Sequence, residues 1–489
     1  MCGFESRTRH ISRCGDRCAV LLFVTPPDAP TDFFRRLTGF HRFITAWIHP
    51  RSRRSHCVRT LQLLAWDATS APPRSGAGPN ESEDTTVSRS TKALAAAAVL
   101  ALTLAACANT DDGDSGDEDS STPELTVQTA IDAPDDAVSP AGDGSAECPA
   151  TTTIAYIGAE TGANAQLGIN IINGVKLAVE EHNANNANCQ VTLQTFDTEG
   201  DPNKSTGPVT QATNDENIIG VVGLPFSGES KATGTIFEQA GLVHITPSAT
   251  GPALTQNGWT TFFRALGNDN VQGPAVPKLT EKLDAKTVYV VQDDSEYGVG
   301  LAGTATEALG DNVVGSDKVT TGQKDFSATI SKILAEKPDA VFYSGYYAEG
   351  APFNQQLVAK GYEGIFIGPD GVKDQEFINQ AGDASANAYF TCPCIPGELI
   401  TSFSDAYKKV SGGDAPGTYS VEGYDAATVL LAGIDEGNQD RAKLKDWVTN
   451  YDAQGLSKKF KWDETGELTE LAVYGYKVQD GQIVSVGVL

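Results

Sequence analysis

Two hydroxyl-bearing turns follow consecutive apolar, β-rich runs near the middle of the chain. The run at residues 217–224 leads into Ser227, and a helical stretch begins directly after it. Ser227 is predicted to be the N-cap of that helix, beside the positive end of the helix dipole. The run at residues 241–247 leads into Ala249 and Thr250. Hydroxyls and free backbone amides in such turns are able to bind a carboxylate, although a helix cap and an ordinary loop would explain them separately.

An acidic residue and three tyrosines complete the candidate chemistry. Asp370 follows another apolar run, where a carboxylate can accept charge-assisted hydrogen bonds from an ammonium group, and a turn aspartate is the alternative. Tyr297, Tyr346 and Tyr419 are large amphipathic residues that can wall an apolar side chain, although each alone also fits an ordinary core. An anion site, a cation site and aromatic walls together predict a receptor for a small zwitterion such as an α-amino acid.

The elements that would position these residues alternate between short strands and amphipathic helices from Thr151 onward. This alternation is typical of α/β proteins with parallel sheets. The strand candidates form two series, at residues 151–159, 189–197, 217–224 and 241–247, and then at 286–294, 312–320, 339–347, 364–370 and 388–393. Each series predicts one Rossmann-like lobe, and the chain ends in helices followed by an antiparallel hairpin. Because open parallel sheets bind ligands at the carboxyl ends of their strands, the cleft between the lobes is the predicted site.

The two lobes are predicted to exchange chain segments. Lobe 1 comprises residues 148–266 and 396–465, and lobe 2 comprises residues 267–395 and 466–489. Three crossovers are predicted near 265–268, 391–396 and 464–468. Ligand contacts from both lobes would favour a closed state of such a protein.

Charge is distributed unevenly along the 489 residues, which carry 36 Lys+Arg and 63 Asp+Glu for a net charge of −27. An acidic surface repels phosphate backbones, so a nucleic-acid partner is not expected. Residues 1–86 contain 12 Arg and no Lys, whereas residues 108–489 contain 20 Lys and 2 Arg. This break predicts that residues 1–86 are an upstream extension outside the functional protein.

An export signal is predicted at residues 87–106, where a short basic segment precedes an apolar run of about 14 residues, too short to span a bilayer comfortably. Its end, LAAC, resembles the lipobox of bacterial lipoproteins, which implies lipid attachment at Cys107. A core helix or an ordinary cleaved signal peptide is the alternative. The acidic, apolar-poor stretch that follows predicts a flexible tether over residues 107–147.

Four cysteines follow the predicted anchor, and export to an oxidising compartment favours disulfides among them. Cys148 precedes the first strand candidate and Cys189 opens the second, so we expect these two to bridge. Whether Cys392 and Cys394 bridge each other is left open. No metal site and no cofactor are expected, since no CxxC is present and the chain after Cys107 contains only two histidines.

Residues 151–489 resemble the type I periplasmic binding proteins of the leucine/isoleucine/valine-binding family, which are the solute receptors of ABC importers. The resemblance rests on six motifs in the family's order and spacing: IAYIGAETGANAQLG, TPSATGPALTQ, QDDSEYGVGLA, KDFSATISKI, YSGYYAEG and IGPDGV. It implies a monomeric receptor with a small zwitterionic ligand, a membrane permease as partner and no cofactor.

The resemblance also implies individual roles. Ser227 and the turn at Ala249 and Thr250 would bind the α-carboxylate, and Tyr346 with Asp370 would hold the α-ammonium group. The side-chain pocket would be bordered by Phe226, Tyr297 and Tyr419.

Two positions depart from the family pattern. Amino-acid receptors of the family often have Glu where this chain has Asp370, which is one methylene shorter. Receptors for branched-chain amino acids often have an aromatic residue at the position of Leu167. The side-chain preference is therefore open, and related receptors for amides, urea or aromatic acids are the alternatives, as is a ligand-sensing surface lipoprotein.

Enzyme hypotheses are weaker. A GxGxxG pattern occurs at residues 298–303, but Asp293, Asp294 and Glu296 crowd its approach and would repel a pyrophosphate. A Ser-His-Asp triad would need His182 or His244, and neither lies in a segment that favours catalysis.

Overall fold

A computed structural model of the protein describes residues 125–489. The predicted upstream extension at 1–86, the signal peptide at 87–106 and the lipid-attachment residue Cys107 lie outside the described residues. Among the residues that are described, no helix is long and apolar enough to cross a membrane.

The strands form two main sheets and one small hairpin. In chain order they are β1 (Thr153–Gly158), β2 (Thr192–Asp197), β3 (Ile218–Gly223), β4 (Val243–Thr246), β5 (Phe262–Arg264), β6 (Val288–Gln292), β7 (Val313–Lys318), β8 (Ala340–Ser344), β9 (Ile365–Gly368), β10 (Ala388–Cys392), β11 (Asp452–Gln454), β12 (Lys459–Lys461), β13 (Tyr474–Gln479) and β14 (Gln482–Val488). The first sheet has the order β2-β1-β3-β4-β5 and is parallel throughout. The second has the order β14-β13-β10-β9-β8-β6-β7, parallel except for the C-terminal hairpin β13-β14 at its edge.

Helices cover these sheets, and within residues 125–489 four short 3₁₀ segments connect elements. The helices are α1 (Ala165–Asn185), α2 (Pro202–Asn214), α3 (Ser227–Ala240), α4 (Asp269–Gln272), α5 (Ala275–Lys282), α6 (Glu296–Leu309), α7 (Ser327–Glu336), α8 (Tyr347–Ala359), α9 (Gln375–Ala381), α10 (Thr401–Val410), α11 (Ser420–Asp435) and α12 (Arg441–Thr449), and the 3₁₀ segments are Pro252–Asn257, Gly310–Asn312, Gly382–Asn387 and Gly397–Leu399. Central strands such as β1 and β3 are buried along their whole length, as expected for apolar runs in a parallel sheet. The predicted α/β class with two Rossmann-like lobes is confirmed.

Close packing of α1 against α11 joins the early and late parts of lobe 1. At Gly174 on α1, a Cβ atom would lie 2.1 Å from the backbone oxygen of Ser420. Only glycine therefore permits this approach of the two helices. The contact brings the start of α11, and with it Tyr419, to the edge of the cleft.

The chain passes between the lobes after β5, after β10 and between β12 and β13. A buried ion pair lies at this place, with Lys458 Nζ 3.0 Å from Glu422 Oε1. Lys458 also donates to the backbone oxygen of Ala265, and Glu422 Oε1 accepts from the N–H of Ile395. One charge pair thus connects the first two crossovers with lobe 1.

Residues 125–147, here called the N-terminal strap, belong to the segment predicted as a flexible tether, and in the structure they contact both lobes. The N–H of Gln128 donates to Ser485 on β14, and the N–H of Ile131 donates to Leu399 beside the second crossover. Farther along, the N–H of Val138 donates to Gln454 on β11. From Leu125 onward, therefore, the chain follows the surface of the protein instead of leaving it.

The four cysteines of the described chain lie in two pairs, each with its Sγ atoms at bonding distance. The Cα atoms are 4.6 Å apart for Cys148 and Cys189, and 5.1 Å apart for Cys392 and Cys394. Since β2 begins at Thr192, Cys189 precedes that strand and does not open it as predicted.

A buried histidine joins α1 to the end of α11. His182 Nε2 lies 2.8 Å from Asp435 Oδ1, and its Nδ1 lies 3.1 Å from the side-chain oxygen of Asn183. Burial alone would lower the pKa of His182, but the hydrogen bonds to Asp435 and Asn183 outweigh it and raise this pKa above its usual value. The helical end that the sequence presents as polar is therefore a buried contact between two helices.

This pair predicts a pH-dependent stability. Because the folded-state pKa of His182 is raised, its stabilising effect is fully present below the unfolded pKa of about 6.5 and is lost as pH rises through the folded value. Asp435→Asn should therefore lower the free energy of unfolding more at pH 6 than at pH 9, by about 1 kcal/mol. Urea unfolding of both proteins at the two pH values measures the difference. Glu180→Gln, an exposed change on α1, is the control, and an equal effect of Asp435→Asn at both pH values would contradict the assignment.

Candidate functional site

A cavity of about 10 Å³, room for about one water molecule, lies between the lobes at the carboxyl ends of the parallel strands. The lobes therefore meet closely here, and a ligand would enter this space only if they moved apart. Both lobes contribute to its wall, which consists of Leu167, Pro225, Phe226, Ser227, Ser248, Tyr297, Tyr346 and Tyr419. Six of the predicted site residues thus surround one space. Ala249 and Thr250 follow the lining residue Ser248 in sequence, and Asp370 is hydrogen-bonded to the lining residues Tyr297 and Tyr419.

Ser227 lies at the start of α3, but not as its N-cap. The helix begins at Ser227 itself, so Phe226 occupies the cap position and the N-cap prediction is wrong. The N–H of Phe226 is bonded instead to the carboxyl group of Glu229, at 3.4 Å. As the first helical residue, Ser227 still faces the cleft, and its Oγ accepts the N–H of Gly251 at 3.0 Å. The first-turn amides of α3 have no acceptor within the helix, as at every helix start.

Glu229 is a buried acid on the same helical turn. Burial raises its pKa to about 7, against the opposing effect of its hydrogen bonds. A Glu229 that is partly neutral near pH 7 repels an anion at the start of α3 less than a fully ionised carboxylate would.

The turn that carries Ala249 and Thr250 is held in place by a buried arginine. The guanidinium of Arg264 donates to the backbone oxygen of Ala249 and, at 2.7 Å, to that of Gly251. Arg264 Nε in turn donates to the carboxylate of Glu467 at 3.0 Å. Arg264 is fully buried, and a buried charge is costly unless it is paired. Glu467 and these two carbonyls compensate the charge of Arg264. The turn at Ala249 and Thr250 and the third crossover segment are therefore connected by one side chain.

Asp370 is the fully buried acid of the opposite lobe. Its Oδ1 accepts the hydroxyl of Tyr297 and the amide Nε2 of Gln272, the latter at 2.7 Å. Its Oδ2 accepts the hydroxyl of Tyr419 at 2.6 Å. Burial raises the pKa of Asp370, and the hydrogen bonds from Tyr297, Tyr419 and Gln272 oppose this rise. The pKa values of both tyrosines are raised well above the usual range by burial, so both hydroxyls keep the protons that they donate.

The tyrosines differ in what they contribute. Tyr297 and Tyr419, predicted to border the side-chain pocket, line the cavity, and their hydroxyls donate to Asp370. Tyr346, predicted to hold an ammonium group, packs with its ring centroid 5.1 Å from those of both Phe226 and Tyr297. Tyr419 has a φ of 69°, a left-handed conformation that costs roughly 1–2 kcal/mol for a residue with a side chain. The strained residue is the one whose hydroxyl donates to Asp370 across the cleft.

Direct contacts across the cleft keep the lobes together. Lys231 on α3 forms an ion pair of 2.8 Å with Glu296 on α6, at an exposed place. Asn170 on α1 donates to Asp374 at 2.9 Å in a buried place. Leu167, at the start of α1, is 1% exposed and closes one side of the cavity. The structure therefore shows the lobes in contact around the site.

Sequence reasoning missed three residues of this site: Arg264, Asp269 and Gln272. Arg264 was detectable, because it is one of only two arginines after Cys107. The other, Arg441, also binds backbone carbonyls, those of Ile218, Thr213 and Asp215. An arginine retained in a lysine-rich chain can indicate a need for the planar, multidentate guanidinium. Asp269 and Gln272 gave no such signal, since they lie on a four-residue helix directly after a crossover.

The structure also shows the surroundings of three other candidate chemistries. The GxGxxG pattern at residues 298–303 lies inside α6 and is not a loop, so it does not form a phosphate-binding turn. His182, Cys189 and Asp435 place possible metal-ligand atoms within 4.8 Å of one another. The sulfur of Cys189, however, lies at bonding distance from Cys148 and is not free as a thiolate. His244 is buried in β4 against Phe237, where it faces no cavity wall.

The chain is similar to proteins that bind amino acids. The periplasmic binding protein family model matches residues 151–482. The Leu/Ile/Val-binding protein of Escherichia coli K12 is 30% identical over 323 residues, which cover 64% of this chain and 87% of that protein. The leucine-, isoleucine-, valine-, threonine- and alanine-binding protein of Pseudomonas aeruginosa is 31% identical over 327 residues, which cover 65% of this chain and 87% of that protein.

A solved structure shows the same fold. The branched-chain amino acid transporter substrate-binding protein LivJ of Streptococcus pneumoniae, crystallised in complex with isoleucine, aligns with a TM-score of 0.64 and 25% identity. The alignment covers 69% of this chain and 99% of that one. The two-lobed architecture of residues after the strap is therefore shared over nearly the whole of that protein.

The contacts of Arg264 with the turn at Ala249 and Thr250 generate a prediction. Arg264→Lys keeps the charge but loses the fork that reaches Ala249 and Gly251, so it should lower the free energy of unfolding by about 2–4 kcal/mol. Arg441→Lys is the matched control, because Arg441 also donates to carbonyls but from a half-buried place, and it should cost less. Urea unfolding of both variants compares them, and an equal or smaller loss for Arg264→Lys would show that the fork is dispensable.

Proposed function

The chain belongs to the periplasmic binding protein family, and from that premise we propose that it is the solute-binding receptor of an ABC importer for a branched-chain or other apolar amino acid. It is a receptor and not an enzyme, and it acts outside the cytoplasm. Its proposed ligand lies between the two lobes, in the cavity bordered by Ser227 and Tyr297.

This proposal rests on one observation: the two sides of the cavity favour opposite charges. Ser227 and the first turn of α3 offer hydrogen-bond donors on the lobe 1 side. On the lobe 2 side, the buried carboxylate of Asp370 has only neutral hydrogen-bond donors around it. A buried carboxylate with neutral donors is still favourable for a cation, because the low-dielectric surroundings strengthen their attraction. An α-amino acid presents its carboxylate and ammonium groups at matching ends.

The walls of the cavity support an apolar side chain. Leu167, Phe226 and Tyr346 present hydrocarbon and aromatic surface, and no charged side chain lines the cavity among residues 125–489. Burying an apolar side chain against such walls is favourable by about 25 cal/mol per Å² of area removed from water. A leucine, isoleucine or valine side chain would therefore gain affinity here, and a charged one would lose it.

Closure of the lobes would then communicate binding to the permease. Tyr419 of lobe 1 and Asp370 of lobe 2 share a hydrogen bond of 2.6 Å, so the site is complete only when the lobes approach. A ligand that contacts both lobes stabilises that state by its differential affinity. The permease would recognise the closed form and accept the ligand from it.

The remaining features are proposals that rest on the sequence. Cleavage before Cys107 and acylation of its thiol would anchor the monomeric receptor to the outer face of the cell membrane. The pairs Cys148–Cys189 and Cys392–Cys394 would be disulfides in that oxidising compartment.

A ligand screen tests the proposed function. Branched-chain amino acids should raise the midpoint of thermal unfolding, because a ligand that binds only the folded state stabilises it. The other amino acids, short amides, urea and aromatic acids belong in the same screen. Stabilisation by uncharged or purely anionic compounds alone would overturn the amino-acid ligand but leave the receptor role.

Removing the acid tests where the ammonium group binds. Asp370→Ala should cost on the order of 2–5 kcal/mol of leucine affinity, because it leaves a buried ammonium without its partner, and Ser227→Ala should cost less since neighbouring amides remain. Asp383→Ala, an exposed change in lobe 2, is the control and should bind normally. Calorimetric titration gives the three affinities, and an unchanged affinity of Asp370→Ala would place the ammonium group elsewhere.

A further inference from the structure

The N-terminal strap, residues 125–147, connects the two lobes by a route other than the three crossovers. It precedes residues 151–482, the part of the chain that the family model matches. Most of the strap lies on lobe 1, where the backbone oxygen of Ala141 accepts the side-chain amides of Asn185 and Asn186, each at 3.0 Å. The strap therefore belongs to lobe 1, and only its first residues extend beyond that lobe.

The first residues of the strap are bound to lobe 2. Leu125 packs against an apolar cluster of that lobe, and its backbone oxygen accepts Lys477 Nζ at 3.4 Å. The N–H of Gln128 donates to the backbone oxygen of Ser485 at 2.8 Å, and the hydroxyl of Ser485 donates to Oε1 of Gln128 at 3.0 Å. These contacts are few and only partly buried, so this end can detach while lobe 1 keeps the rest of the strap.

The strap reaches lobe 1 within a few residues of this attachment. The N–H of Ile131 donates to the backbone oxygen of Leu399 at 3.0 Å, and the side chain of Ile131 packs against an apolar cluster of lobe 1. Thr129 and Ala130, between the two attachments, are exposed. Three Cα–Cα steps of extended chain span at most about 11 Å. The strap therefore limits how far Ser485 of lobe 2 can move away from Leu399 of lobe 1.

The two attachments lie on opposite sides of one gap. Glu398 of lobe 1 and Ile483 of lobe 2 line a groove of about 440 Å³ between the lobes, and they are close in sequence to the two residues that bind the strap. Gln166, also in the wall of the groove, directly precedes Leu167 in the wall of the cavity. The groove and the cavity thus belong to the same gap, and an opening that admits a ligand to the cavity widens both.

We propose that residues 125–131 of the strap are a latch that holds the lobes together and so slows the entry and release of the ligand. The cavity has room for about one water molecule while the lobes are in contact, so a ligand enters only when they part. Parting detaches the strap from one lobe, which costs hydrogen bonds and the burial of Leu125 or Ile131. The effect on the ligand rests on the proposed function, whereas the latch itself is a property of the free protein.

The latch acts on rates more than on affinity. It is closed both in the free protein with its lobes in contact and in the liganded protein, so it stabilises these two states equally. Opening precedes both entry and release, so a weaker latch should raise the association and dissociation rates together. The ratio of the two rates, which is the affinity, should change less than either rate.

Two backbone amides, here called the reporter amides, follow opening directly because their hydrogen bonds cross the gap. The N–H of Gln166 in lobe 1 donates to the hydroxyl of Tyr347 in lobe 2, at 3.2 Å. The N–H of Ala348 in lobe 2 donates to the side-chain oxygen of Asn164 in lobe 1, also at 3.2 Å. Amide hydrogen exchange in the full chain without ligand measures how often these bonds open. Amides of the central strands β1 and β8 show in the same experiment whether each lobe stays folded.

Proline substitution tests the latch, since it removes one backbone N–H. Gln128→Pro frees the strap from lobe 2 and Ile131→Pro frees it from lobe 1, and each should speed exchange at the reporter amides about three- to tenfold. The double variant should match the single ones, because a latch that is detached at one end is already open. Thr126→Pro is the matched control, because the N–H of Thr126 makes no hydrogen bond to the described residues, and it should exchange like the wild type.

The release of radiolabelled L-leucine extends the test to the ligand. Release from Gln128→Pro should be faster than from the wild type by about the same factor, with a smaller change in affinity. Faster amide exchange without any binding of leucine would support the latch and overturn only the proposed ligand. Faster exchange with unchanged release of leucine would overturn the effect of the latch on the ligand.

The latch itself fails on three results. Unchanged exchange in both single variants, an equal rise in Thr126→Pro, or additive effects in the double variant would each overturn it. Should Gln128→Pro not fold, Leu125→Ser takes its place, because it removes an apolar contact with lobe 2 and leaves the backbone intact. The same rise in exchange at the reporter amides is expected, and its absence would overturn the inference.

Discussion

A buried carboxylate between two lobes is the constraint on which the site depends. Asp370 is fully buried, and no Lys or Arg in the described part of the chain lies within ion-pair distance of it. Such a charge is costly unless hydrogen bonds compensate it. The protein supplies three neutral donors and no cation. The missing positive charge is what the proposed ligand brings, so the cost of burying Asp370 becomes a preference for an ammonium group.

The donors to Asp370 come from different parts of the chain, and their placement depends on the crossovers. Gln272 follows the first crossover, and Tyr419 belongs to the opposite lobe from Asp370. Two buried ion pairs also connect crossover segments to the lobe 1 side of the cleft. They join Arg264 to Glu467 and Lys458 to Glu422. Because breaking one partner of a buried pair leaves an uncompensated charge, these pairs restrict how the crossovers can rearrange. Rigid crossovers would place the two ends of the cavity at a constant spacing when the lobes meet.

The fold follows from local patterns, and the sequence predicted it well for that reason. Buried parallel strands require continuous apolar runs, so β1, β3 and β8 are visible as such, and the ends of these strands point to the cleft. Residues of the candidate site were predictable in the same way, since Ser227, Tyr346 and Asp370 each lie just after a strand.

Residues whose environment is created by tertiary contacts were harder to predict. Asp269 is an unremarkable acid in sequence, and only folding buries it near the charge of Asp370. Ser227 looks like a helix cap, but the carboxyl group of Glu229 binds the N–H of Phe226 and shifts the cap by one residue. The N-terminal strap has the composition of a tether, yet Leu125 and Ile131 are apolar enough to pack on the folded lobes. Composition averages over a segment, whereas docking depends on a few residues.

A crystal structure of the protein with bound L-leucine would test the central claim most directly. The account predicts the α-ammonium nitrogen within hydrogen-bond distance of Asp370, the α-carboxylate at Ser227 and Thr250, and the side chain against Leu167 and Phe226. A leucine bound in the opposite orientation, or at a place where its nitrogen does not contact Asp370, would contradict it.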